Sequence, residues 1–456
     1  DELVERIEAY LKPLLQFAKD VLHTKVDDFG YYPIFLRATG GMRMLSSQDR
    51  KRVMNAVRTL FNDPAFCPFW FEDVRARTIS GEEEGIYGWA GVNFATETLL
   101  ANSEGMGTVL NPTKTYGALD MGGSSTQITF YQPDNDIMEN LFKFQLGQGK
   151  HWNLYTRSYL YFGANEALER AQAKLITRLG RDERLHGVYN PCLPGGAATE
   201  FRTKIRFDER GIEMYPQGNS DASFMGAVLR NDNKQGDFDA CVEMARALLH
   251  KDTSNSWCNF VNNQDCAFVG GYQPKLPPQE KKAGEFMAVS NFHHVWKFLK
   301  LKSRSSLDQL EDKTRKICSM DMNELNKYNE DGLDDKYAVH EYCFRSTYIL
   351  EMLRSGYGFK KDDYITSTDV INGHKVGWAL GAMLYEINTL PWRNQVTTIP
   401  TIERSSKFGP HSTNHHHASA IFVSFMSIGV LMALFSVLYR KRKHNNGYEP
   451  IEMMMS

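Results

Sequence analysis

Residues 115–131 read TYGALDMGGSSTQITFY, and the character of the fold is set there. The apolar run Tyr116–Met121 is expected to be a strand carrying one carboxylate, Asp120, near its end. Gly122 and Gly123 follow, and glycine reaches positive φ without steric cost, so a tight turn is expected. Ser124, Ser125, Thr126 and Gln127 line that turn before a return strand, Ile128–Tyr131. Strand, turn and return strand make a hairpin whose backbone N–H groups can converge on an anion, with phosphate the obvious candidate. An ordinary surface hairpin is the competing reading. A carboxylate beside such a turn also suits a metal held through water at a phosphate.

Upstream, the short strand Tyr32–Arg37 leads into Ala38-Thr39-Gly40-Gly41-Met42-Arg43, a second turn with a hydroxyl and two glycines. Ser46–Asp49 then reads as the cap of a helix running through Leu60. Strand, turn and helix in that order point to an α/β layer architecture. Residues 1–22 are an amphipathic helix interrupted or restarted at Pro13. Ser80–Trp89, SGEEEGIYGW, sets three adjacent carboxylates in a glycine-bounded turn, before a helical stretch from Val92 to Leu100. Such triplets are usually solvated loops, but Tyr87 and Trp89 favour burial, so one carboxylate at a pocket mouth could serve as a base. Downstream, helices are expected over Tyr159–Arg178, Phe238–Leu249, Leu307–Asn329, Tyr342–Arg354 and Lys375–Leu390. Phe286–Leu301 is a strand-to-helix passage or a helix, its rings core or, for one of them, a stacking surface for a planar ligand.

The 456 residues allow two or three domains, and 42% hydrophobic residues can support sizeable cores. With 53 basic and 55 acidic residues there is no global field for nucleic acid. Ala418–Tyr439 runs about 22 residues without a charge, enough to span a bilayer, and Arg440–Lys443 follows at once. That basic cluster is the positive-inside signature, placing tail 440–456 in the cytosol and everything before residue 418 in a lumen or outside the cell. Seven cysteines in such a compartment should mostly form disulfides, with at least one left over. The triple His415–His417 lies in a linker and reads as polar filler.

Four stretches occur in a telling order: Ala38–Arg43 (ATGGMR), Glu83–Trp89 (EEGIYGW), Ala118–Gln127 (ALDMGGSSTQ) and Gly377–Leu384 (GWALGAML). Together they resemble the apyrase, or ecto-nucleoside triphosphate diphosphohydrolase, family, and the middle sequence with its C-terminal span looks most like the Golgi and lysosomal subgroup. The resemblance implies an α/β fold of two actin/hexokinase-like, RNase H-like lobes with the site in the cleft. It implies a first lobe over 1–117, a second over 118–370, a helix at 371–392 returning to the first, a linker at 393–417 and a membrane helix at 418–439. It further implies Ca2+ or Mg2+ held through water, with UDP, GDP or a similar nucleotide as substrate. Carried onto this chain, Glu84 matches the catalytic base, Asp120 a metal-water carboxylate, and Ser125 and Gln127 the residues that position the attacking water, Gln127 also facing the metal. Gly122, Gly123, Ser124, Ser125, Thr126 and Thr39 match the phosphate cradle. Arg43 belongs to the second motif or to a structural ion pair, and Trp378 to scaffold. His294 and Tyr357 stand near the places from which the family stacks the nucleobase. Spacing and the family pattern together suggest disulfides Cys192–Cys241, Cys258–Cys266 and Cys318–Cys343, leaving Cys67 alone.

Three departures stand out. Gly40 replaces the alanine usual in the second motif, and no N-x-Ser/Thr sequon is present, which favours an internal membrane over the cell surface. The family clamps phosphate with two loops, yet residues 1–37 hold one glycine, Gly30, and no second loop of paired glycines and hydroxyls like that at 122–127. A chain starting at Asp1 is therefore expected to lack the first loop and to hydrolyse nucleotide negligibly, while its full-length parent is active. A nucleotide-binding scaffold without catalysis is the competing function, and a sugar kinase a third.

Overall fold

The structure is a computed structural model, which describes residues 2–22, 29–99, 112–133, 137–146, 151–207, 213–214, 224–249, 265–329, 334 and 336–389. The expected membrane helix at 418–439 and Cys258 lie outside the described residues. No helix among the described residues is long and apolar enough to cross a membrane.

A seven-stranded mixed sheet is the main layer. Its strands lie in the order Arg304–Ser306, Tyr364–Ser367, Phe286–Ser290, Gly117–Met121, Ser125–Tyr131, His151–Leu160, Leu141–Gln145. Gly117–Met121 is central, parallel to Phe286–Ser290 and antiparallel to Ser125–Tyr131, with Asp120 opposite Gln127. Every residue of the central strand is buried, as expected where helices cover both faces. One face packs on the helices Phe238–Arg246, Leu307–Cys318 and Tyr342–Glu351 in a large aromatic core. The other receives Trp89 and Val92 of the helix Gly81–Ala95, beside Trp152 and Val289.

A separate core surrounds the helices Glu2–Leu22 and Ser47–Phe61 and the parallel strand pair Leu36–Ala38 and Ala76–Thr78. Ser46 caps the second of these helices by accepting from the Asp49 amide, as its sequence predicts.

The acidic triplet is not a loop. Glu82, Glu83 and Glu84 form the first turn of the helix Gly81–Ala95, which starts eleven residues before Val92. Ser80 accepts from the Glu83 amide while the Glu83 carboxylate accepts from the Ser80 amide, a reciprocal cap, and carboxylates in a first turn face the positive end of the helix dipole. The helix expected from Tyr159 begins only at Ala164, because Tyr159 and Leu160 finish the ten-residue strand His151–Leu160. Ala38–Arg43 is likewise more helical than its glycines suggest, with a short helix at Gly40–Met44.

The helix Trp378–Thr389 crosses Gly81–Ala95 with backbones nearly touching. A Cβ on Gly381 would lie 1.8 Å from the Tyr87 carbonyl oxygen, and one on Gly91 would lie 2.7 Å from that of Gly377. Beyond the crossing, Glu386 pairs with Arg37 of the small parallel sheet. Trp378 packs with Ile79, Tyr87 and Ala382.

Cys192–Cys241 and Cys318–Cys343 are disulfide-bonded, and Cys67 is free and buried. Cys266 is also disulfide-bonded.

Candidate active site

The hairpin turn owes its glycines to close packing. Neither Gly122 nor Gly123 has positive φ, contrary to the expectation from sequence. The helix Ala164–Ile176 seats its N-terminus directly behind them: a Cβ on Gly163 would stand 2.3 Å from the Gly123 carbonyl oxygen. The Ala164 amide donates to Gly122 and the Asn165 amide to Gly123, both at 3.0 Å, and the Tyr161 amide donates to Ser124 at 2.8 Å. The loop carbonyls are thus spent on the segment that leads into this helix. Thr126 is buried, and its hydroxyl donates to the Asp120 carbonyl at 2.9 Å, closing the hairpin.

Five side chains from four segments converge beside this loop. Arg43 donates to Glu84 Oε2 and to Ser125 Oγ, both at 2.8 Å. Gln127 Nε2 donates to Ser125 Oγ at 2.9 Å, to Ser158 Oγ at 3.0 Å and to Glu84 Oε2 at 3.2 Å. Glycines let the elements come this close: a Cβ on Gly40 would meet Ser125 Oγ at 3.0 Å, and one on Gly81 would meet Ser158 Oγ at 2.1 Å. Of the acidic triplet only Glu84 is buried, while Glu83 turns away to pair with Arg77. Thr39 precedes the Gly40–Met44 helix, and its side chain makes no capping bond.

The electrostatics are those of a site short of positive charge. Burial and the neighbouring Asp120 push the Glu84 carboxyl up to about 7, against the pull of Arg43. Burial also raises Asp120, against hydrogen bonds from Ser290 and the Met121 backbone. Gln127 Oε1 is buried without a partner. Two buried carboxylates and an orphaned amide oxygen are hard oxygen donors of the kind that suits Mg2+ or Ca2+ completed by water and phosphate. Among the described residues no cluster of three or more His, Cys, Asp and Glu could hold a metal alone.

Next to the loop opens a cavity of about 260 Å3, lined by Gly123, Asn165, Asn291, His294, Lys336 and Tyr337, among others. His294 is on this wall, with Nδ1 bonded to Asp334 at 2.9 Å. Its neighbour His293 also lines the cavity and faces Asp369 at 3.3 Å, and burial pushes its imidazole down. Tyr357 is not there. It is 2% exposed in the large core, its ring 5.3 Å from that of Phe268 and 6.2 Å from that of Tyr159. Tyr337 instead stands opposite His294, ring centroids 6.2 Å apart. A tyrosine in a polar, loop-like stretch, DDKYAVHEY, was the available sequence signal.

The family profile GDA1/CD39 (nucleoside phosphatase) matches residues 1–399. The chain belongs to that family. Ectonucleoside triphosphate diphosphohydrolase 1 of Bos taurus is 30% identical over 426 residues, covering 90% of this chain and 74% of the relative. Nucleoside-diphosphatase mig-23 of Caenorhabditis briggsae is 25% identical, covering 92% and 73% respectively. A crystal structure of nucleoside triphosphate hydrolases from Neospora caninum superposes with TM-score 0.55 at 17% identity, over 84% of this chain and 79% of that one, and so shares the fold. The α/β fold with its mixed sheet is shared with that structure, and as a member of the nucleoside phosphatase family the protein is an enzyme of nucleotide hydrolysis.

Proposed function

We propose that this nucleoside phosphatase removes the terminal phosphate of nucleoside di- and triphosphates such as UDP and GDP, with Glu84 as general base. The observation that supports it is the hydrogen-bonded cluster of Glu84, Ser125, Gln127 and Arg43 beside a glycine loop, with Glu84 held near neutrality. A base works best when its pKa lies near the operating pH. A water held by Ser125 Oγ and Gln127 attacks the terminal phosphorus in line, Glu84 takes its proton, and the bond to the leaving phosphate oxygen breaks. Arg43 bridges Glu84 and Ser125, so base and water site move as one body. Backbone N–H groups of Gly123 and Ser124, with the Thr39 and Ser124 hydroxyls, face the transferred phosphoryl group.

Mg2+ or Ca2+ would be held by Asp120 and Gln127 Oε1 through water, and when bound it supplies neutralisation of phosphate charge. The nucleoside part occupies the cavity whose wall His294 and Tyr337 line together. We place the catalytic part in a Golgi or endolysosomal lumen, anchored by residues 418–439, because an uncharged stretch of that length runs straight into Arg440–Lys443.

The experiment is Glu84→Gln in the full-length protein, assayed for phosphate release from UDP. Turnover is expected to fall by about 10²-fold or more, with nucleotide affinity little changed. Near-normal turnover, with loss in Glu82→Gln or Glu83→Gln instead, would refute the assignment.

A further inference from the structure

One buried side chain ties the cavity wall to the phosphate loop. Asn291 is 6% exposed, and both ends of its amide are used. Nδ2 donates to the Met121 carbonyl at 2.7 Å, one residue past Asp120, and Oδ1 accepts from the Tyr337 hydroxyl. Arg345 grips the Tyr337 ring as well, its guanidinium carbon 3.4 Å from the ring centroid. Arg345 in turn donates to the Ala164 carbonyl at 3.0 Å and to Asn165 Oδ1 at 3.2 Å, and these are the two residues whose amides hold Gly122 and Gly123. Tyr337 is therefore fastened to the loop by two routes. Ser290, just before Asn291, has φ 61°, a conformation a non-glycine residue keeps only where its surroundings over-determine it.

We propose that Asn291 is a specificity-determining positioning residue: it registers the Tyr337 wall against the phosphate loop, so that the protein tells a nucleoside diphosphate from a bare diphosphate. The inference rests on the reading above, in which the loop holds phosphate. A ligand gripped by its phosphates carries its nucleoside at a fixed reach, and contact with an aromatic wall is lost if that wall shifts independently of the grip. A planar amide bonded at both ends prevents the shift. Without it the Tyr337 hydroxyl loses that acceptor, and the direct link from the ring to the strand of Asp120 is broken.

The test is calorimetric binding of α,β-methylene-UDP and of methylenediphosphonate, the non-hydrolysable forms of UDP and pyrophosphate, in buffer containing Mg2+, to the full-length protein and to Tyr337→Phe, Asn291→Ala and the double variant. The quantity read is the ratio of the methylenediphosphonate Kd to the α,β-methylene-UDP Kd. Tyr337→Phe keeps the ring and removes only the hydrogen bond. Each single variant is expected to shrink the ratio by about fivefold, the scale of one net hydrogen bond, and the double variant to shrink it no further, because both delete the same contact. An unchanged ratio in Tyr337→Phe, or a double effect equal to the product of the singles, overturns the proposal. If Asn291→Ala does not fold, Asn291→Ser, too short to span both partners, replaces it with the same expectation. A wild-type ratio near one overturns this inference alone. An active Glu84→Gln variant refutes the base assignment and leaves the ratio untouched, and binding of neither probe overturns both.

Discussion

Glu84 couples chemistry to stability through one proton. Its folded-state pKa of about 7 lies above the ordinary glutamate value of 4.5, chiefly through burial and then through Asp120. The base must be ionised, so turnover is expected to rise with pH through about 7 on a limb of unit slope. The stability consequence has the opposite sign. A carboxyl that keeps its proton in the fold contributes stability fully present below pH 4.5 and lost as pH rises through about 7. Glu84→Gln mimics the protonated form, so at pH 8 it should be more stable than the wild type by about 1–3 kcal/mol, with little difference at pH 4.5. Urea midpoints at the two pH values check this, and a variant less stable at pH 8 would contradict it. Much at this scale was legible, because Asp120, Ser125 and Gln127 sit in one short motif where local sequence dictates proximity. The cavity wall was not: His294 lines it, but Tyr357 is core and Tyr337 took the place opposite. Which of two tyrosines faces a cavity depends on how the helix Tyr342–Glu351 and the turn after it pack, and neither ring carries that information locally.

At the scale of elements, sequence periodicity found most helices and the starts of three, at Phe238, Leu307 and Tyr342, and set their ends too far along the chain. Phe238–Arg246, Leu307–Cys318 and Trp378–Thr389 lie inside their expected ranges, whereas the sequence of Gly81–Ala95 reads as a turn until Val92. Its glycines at 81, 85 and 91 look like breakers and instead serve close packing, a tertiary cause invisible in a local pattern. Gly85 lies under the Thr129–Thr156 hydroxyl pair, where a Cβ would come within 2.6 and 2.7 Å of the two oxygens. Gly381 is the sharper case, since its would-be neighbour is backbone and cannot swing aside. Gly381→Ala must push the two crossing helices apart and should cost about 1–3 kcal/mol, the range for overpacking. Gly226→Ala, with nothing within 4 Å of the added carbon, is the matched control and should change stability little. Chemical denaturation of both variants decides it, and equal midpoints would mean the helix crossing is softer than its geometry implies.

Across the whole molecule, covalent and non-covalent reinforcement are unevenly spread. Both disulfides with two described partners lie on the large-sheet side and clip its helical layer: Cys241 is on Phe238–Arg246, Cys318 ends Leu307–Cys318, and Cys343 is on Tyr342–Glu351. The Cys241 and Cys343 sulfurs lie 3.9 Å apart, so the two bridges form one continuous staple through the core. The core around Glu2–Leu22 and Ser47–Phe61 has Cys67 instead, a buried thiol raised by burial and so a poor nucleophile at neutral pH. The bridges close sequence separations of 49 and 25 residues. By loop-closure entropy each contributes roughly 3–4 kcal/mol, acting on the unfolded ensemble of the segments it joins. Reduction should therefore loosen the molecule on one side only. Hydrogen exchange in mild reductant is expected to show amide protection falling over Phe238–Arg246, Leu307–Cys318 and Tyr342–Glu351 while Glu2–Leu22 and Ser47–Phe61 keep theirs. Arg37–Glu386 and the tight crossing of Trp378–Thr389 over Gly81–Ala95 are the contacts through which the two cores would feel each other. If protection falls equally in both, those contacts make the cores one cooperative unit, and stability at the helical staple governs the far sheet as well.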